Sequence, residues 1–122
     1  MSPLPIVLIL TTTVGIGVYL GLLYLRGEKR KPTLIGIHLL LGAAGLEGFV
    51  ATMRGTPNGD VLGTGSYGST AAILMACAMC SGFIAPILGR RSPRSGDWIL
   101  ATHASIGAAG FLLFLAWASS AP

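Results

Sequence analysis

Four uninterrupted apolar stretches, each about as long as a bilayer is thick, decide most of what this chain can become. They run over residues 4–25, 33–53, 69–89 and 98–119. A helix rises ~1.5 Å per residue, so about 20 residues cross the ~30 Å of hydrocarbon in a bilayer. No water reaches the backbone there, and every N–H and C=O must pair within its own segment, which selects helices over strands. The expectation is an all-α integral membrane protein, a single domain over residues 1–122 forming a bundle of four transmembrane helices.

Composition agrees. Hydrophobic residues make up 52% of the 122 and charged residues only 10%. Too little charge is present to coat a soluble domain. An ordinary soluble enzyme, a disulfide mini-protein and a disordered chain are excluded. Cys77 and Cys80 lie inside an apolar stretch and give no disulfide framework. Residues 1–5 lack a basic leader, and the first stretch is too long for a signal core, so it reads as a retained helix.

Orientation follows the basic residues. Arg26, Lys29, Arg30 and Lys31 fall in the first connection and Arg90, Arg91 and Arg94 in the third. The middle one, from Arg54 to Gly68, holds one Arg and Asp60 among several glycines, and reads as a flexible or docked loop. The positive-inside rule then puts the first and third connections in the cytoplasm and both termini outside it, in a bacterial inner membrane or its equivalent. Tyr24 and Trp98 would mark one interface and Trp117 the other.

Shifting the chain by 65 residues aligns its halves, about 1–61 on 66–122. His38 falls on His103, Gly42 on Gly107, Ala43 on Ala108, Ala44 on Ala109, Gly45 on Gly110 and Phe49 on Phe114. Gly17 falls on Gly82 and Arg26 on Arg91. Two helices per half give hairpins inserted the same way round, related by an axis along the membrane normal.

These two are the only histidines, and each begins the pattern H-x-x-x-G-A-A-G-x-x-x-F. On a helix, positions 0, +4, +7 and +11 lie within about 40° of one line. His38, Gly42, Gly45 and Phe49 therefore make one stripe, and His103, Gly107, Gly110 and Phe114 its copy. A buried imidazole without a partner costs several kcal/mol. Two imidazoles at equal depth can hold one iron from opposite faces of a flat ring. Side-chain-free glycines would then flank a slot between helices two and four, with the phenylalanines closing it. Lys31 and Arg94, the nearest cations in sequence, would meet the ring carboxylates.

This stripe resembles that of four-helix b-type membrane cytochromes. The resemblance covers the two even-numbered helices and is to a class of protein; diheme members carry four ligand histidines, and this chain has two. It implies one haem b on His38 and His103, low-spin and electron-carrying, with a redox partner protein, another membrane subunit or a quinone. The chain would be an electron-transfer or accessory subunit rather than an enzyme alone. The alternative is a structural subunit of a larger complex, its histidines gluing helices, or a subunit binding a chlorophyll-type pigment.

Glu47 breaks the repeat, since its equivalent is Leu112. An acid at this depth is neutral, paired or facing water. It would serve a proton path, a quinone contact or a subunit contact, or pair with Arg54. A lone membrane carboxylate is also similar to that of small multidrug-resistance transporters, where it sits in the first helix; here it lies in the second. A proton-coupled transporter using Glu47 is thus a further alternative. The C-x-x-C of Cys77 and Cys80 superficially resembles that of four-helix quinone-linked thiol oxidoreductases. Those need a second cysteine pair, which is absent here. Pro86 is expected to kink or end the third helix.

Overall fold

The computed structural model describes residues 3–54 and 65–120. They form four helices, α1 (Leu4–Leu25), α2 (Pro32–Arg54), α3 (Gly65–Arg91) and α4 (Pro93–Ser119), with no strand among the described residues. All four are long and apolar enough to cross a membrane. The all-α fold and the membrane-spanning lengths expected from sequence are both present. Gly55, Gly59, Asp60 and Gly63 of the expected middle loop lie outside the described residues, whereas Gly65 and Gly68 belong to α3.

Two helices extend well past their apolar stretches, because hydropathy marks hydrocarbon and capping marks the helix. Ser92, extended at φ −150° and ψ 114°, accepts a bond on its side chain from the Ser95 N–H at 3.4 Å, and Pro93 follows. Serine at the cap and proline in the first turn is a helix start signal. So α4 begins at Pro93, and Arg94 sits in its first turn rather than in a loop. The third connection shrinks to Ser92. Nor does α3 end at Pro86, which lies inside a helix reaching Arg91. A proline removes one main-chain donor, and the turns on either side carry the helix through.

The first connection is built differently. Gly27 adopts φ +68°, its N–H bonds the Tyr24 carbonyl and the Glu28 N–H bonds the Leu23 carbonyl. This pair of hydrogen bonds around a left-handed glycine closes α1 and turns the chain.

The chain divides into two compact units, Met1–Thr52 and Met53–Pro122. The first is the hairpin of α1 and α2. Its seam on α1 is Ile6, Leu10 and Thr13, all buried. Cβ atoms added to the α2 glycines would meet these same residues in antiparallel order: Gly48 meets Ile6, Gly45 meets Leu10 and Gly42 meets Thr13. The second unit holds the hairpin of α3 and α4, with Ala71, Ala78 and Ala85 buried at seven-residue intervals on α3. Gly110 faces Met75, Gly107 faces Ala78, and a Cβ on Gly96 would lie 2.8 Å from the Gly89 Cα.

Lipid is as apolar as a leucine side chain, so hydrophobic burial does little to join these helices. Close backbone approach at small residues and hydrogen bonds do the joining. The outward faces suit that environment: Leu25, Leu40, Ile73 and Leu112 are all largely exposed. Outward hydroxyls are satisfied by their own helix, with Thr12 bonding the Leu8 carbonyl, Thr102 that of Trp98 and Ser105 that of Ala101.

Candidate functional site

Both histidines lie half-buried in the seam of their own hairpin. His38 Nδ1 is 2.9 Å from the Thr13 carbonyl oxygen on α1. His103 Nδ1 is 2.7 Å from the Ala78 carbonyl oxygen on α3. Thr13 and Ala78 are themselves 65 residues apart, so the hydrogen bond repeats with the sequence. A carbonyl oxygen only accepts, hence Nδ1 carries the hydrogen in each ring. In the neutral imidazole Nε2 is then the lone-pair atom.

Each ring also rests on a glycine. A Cβ at Gly17 would lie 2.8 Å from His38 Cε1, and one at Gly82 would lie 3.0 Å from His103 Cε1. Sequence matching pairs Gly17 with Gly82 without giving them a task. Both leave room for the imidazole's Cε1 edge, which a side chain there would meet. The signal in sequence was the shared offset of glycine and histidine.

The stripe glycines do something other than flank an open slot. A Cβ at Gly45 would meet Leu10 Cδ2 at 2.5 Å, and one at Gly110 would meet Met75 Cγ at 2.9 Å. At Gly42 and Gly107 the facing groups, Thr13 Cγ2 and Ala78 Cβ, stand at 3.5 and 3.6 Å. These positions are filled by the partner helix of the same hairpin. Within each hairpin the histidine stripe and the seam are one face, so these glycines pack against the partner helix.

Phe49 and Phe114 are fully buried. Phe114 stacks on Trp117 at 6.0 Å between centroids and on Phe111 at 6.2 Å. Trp117 is buried too, whereas Trp98 and Tyr24 are exposed.

Of the two expected carboxylate-binding cations, Arg94 is exposed. Lys31 is exposed as well and already engaged: its Nζ donates to the Tyr19 hydroxyl at 2.8 Å and lies 5.2 Å from that ring's centroid. The bond to Tyr19 is the main cause that raises the Lys31 pKa above its ordinary 10.5, with Glu28 a minor one. Glu47 is exposed, as are Cys77 and Cys80, which are free thiols. Among the described residues no group of three or more His, Cys, Asp or Glu could hold a metal ion.

No family model, no curated protein and no solved structure matches this chain.

Proposed function

We propose that the chain is an electron-transfer subunit of a membrane complex, a b-type cytochrome in which His38 and His103 would hold one haem b. The observation that supports this reading is the duplicated bond from Nδ1 to a main-chain carbonyl. Histidines that ligate metals through Nε2 commonly donate the other ring N–H to a carbonyl, which fixes the tautomer and raises basicity. The donor chemistry of both residues fits the group. Bound haem b supplies a one-electron couple, without an open coordination position when both axial places are imidazole.

The protein's own part is to orient. Thr13 and Ala78 hold the rings through their carbonyls, and Gly17 and Gly82 give them room. Arg94 and Lys31 are the cations offered to the ring carboxylates. Gly42, Gly45, Gly107 and Gly110 set the hairpins that carry the ligands. In this reading the basic connections face the cytoplasm of a bacterial inner membrane or its equivalent, and a quinone or a partner protein exchanges the electron.

One observation favours a second reading. The stripes of α2 and α4 are consumed within their hairpins at Gly45 and Gly110, as in a structural subunit whose histidines only latch helices. A spectrum separates the two. Purified from a haem-supplied membrane host, the full chain should show a low-spin Soret band and a sharp alpha band on reduction. His38→Ala and His103→Ala should each abolish that low-spin signature. A colourless protein, or colour that survives both substitutions, leaves the structural reading.

A further inference from the structure

Glu47 lies inside the span of α2, seven residues or roughly 10 Å before its end at Arg54. It is not on the hairpin seam. Leu40, Ala44, Glu47, Ala51 and Arg54 follow one another at spacings of four and three, and all are exposed. They form a second face of α2, turned away from α1. Among the described residues no hydrogen bond or ion pair engages the Glu47 carboxyl.

An ionisable group facing hydrocarbon is costly, and such groups almost always pair or face the interior of an assembly. Ala43, Ala44 and Ala51 around Glu47 are small enough for another helix to come close. The order of charge says which helix. A second copy inserted the same way round would set Glu47 against Glu47 and Arg54 against Arg54, like against like. The complement has a base at the depth of Glu47 and an acid beside Arg54.

We propose that this face of α2 docks a transmembrane helix of another protein, carrying a Lys or Arg at the depth of Glu47 and an Asp or Glu at the membrane edge by Arg54. The proposal rests on the reading of the chain as a subunit of a membrane complex and gives that partner its chemistry.

The test uses the full chain in phosphatidylcholine vesicles, with a donor dye on the exposed thiols of Cys77 and Cys80. The probes are synthetic leucine-alanine transmembrane peptides carrying an acceptor. One has Lys at the matched depth and Asp at the edge; the control has Leu at both. The expected result is half-maximal energy transfer at about tenfold lower peptide-to-lipid ratio for the Lys peptide. Glu47→Gln should remove the preference with helicity unchanged. Glu47→Lys should transfer it to a peptide with Asp at that depth.

Equal transfer from Lys and Leu peptides overturns the proposal, as does a preference that persists in Glu47→Gln. Transfer between differently labelled copies of the chain that depends on Glu47 would give the face to a second copy instead. The readout needs no haem, so a colourless protein that still selects the Lys peptide fails the cytochrome reading alone.

Discussion

His103 donates its Nδ1 hydrogen to the Ala78 carbonyl across 2.7 Å, while its ring lies on Gly82 of the same helix. His38 does the same with Thr13 and Gly17. The bond and the glycine form one device, since the ring reaches the carbonyl only where the facing helix lacks a side chain.

That coupling can be measured. Gly17→Ala should destabilise the first hairpin by about 1–3 kcal/mol, because the new methyl overlaps the imidazole. His38→Ala should cost about 0.6–1.7 kcal/mol, the range for interhelical bonds in membranes. In the His38→Ala background the cost of Gly17→Ala should largely vanish, a coupling of at least ~0.5 kcal/mol in a double-mutant cycle. Reversible unfolding in mixed micelles reads all four proteins. Additive losses would show that the glycine serves something other than the ring.

The second hairpin offers a contrast between backbone and side-chain contact. Gly96→Ala places a methyl 2.8 Å from the Gly89 Cα, where nothing can rotate away. It should cost about 1–3 kcal/mol or more. Gly107→Ala meets Ala78 Cβ at 3.6 Å, ordinary contact, and gains helix propensity of about 0.5–1 kcal/mol. Thermal unfolding of the two variants should move in opposite directions. Equal loss in both would mean the hairpin packs elsewhere.

The Lys31 and Tyr19 contact should be pH-dependent at the alkaline end. Its pKa is raised by Tyr19, so the folded state holds the proton more tightly than the unfolded one. The stabilisation is fully present below the ordinary 10.5 and is lost as pH rises through the raised value. Tyr19→Phe should bring the Lys31 titration back toward 10.5, followed by NMR of the labelled ammonium group. A titration unmoved by the substitution would place the cause outside this bond.

The axial-ligand reading predicts equal dependence on both rings. His38→Ala and His103→Ala should each eliminate the low-spin spectrum, since one imidazole cannot fill two axial positions. Loss with only one of them would mean single ligation, as expected for a pigment.

The spans were legible because hydropathy is a property of residues taken singly. The α4 start was legible in Ser92 and Pro93, yet the apolar stretch hid it by beginning only at Trp98. The stripe holding His38, Gly42, Gly45 and Phe49 was correctly placed on one face. What that face meets was not legible, since a glycine stripe reads alike whether a ring or a neighbouring helix lies against it. Leu10 and Met75 decide the matter, and neither carries any mark in sequence. Thr13 and Ala78 could not stand out either, because the hydrogen bond uses their backbone and any residue supplies a carbonyl. The packing of Trp117 was not legible either: an aromatic near a span's end suits a lipid boundary as well as a core, and here it stacks on Phe114.

One offset of 65 residues relates His38 to His103, their carbonyl partners Thr13 to Ala78, and Gly17 to Gly82. At that offset the glycines, histidines and phenylalanines of the two stripes coincide, the facing residues Ile6, Leu10 and Thr13 answer to Ala71, Met75 and Ala78, and on the exposed faces Glu47 answers to Leu112.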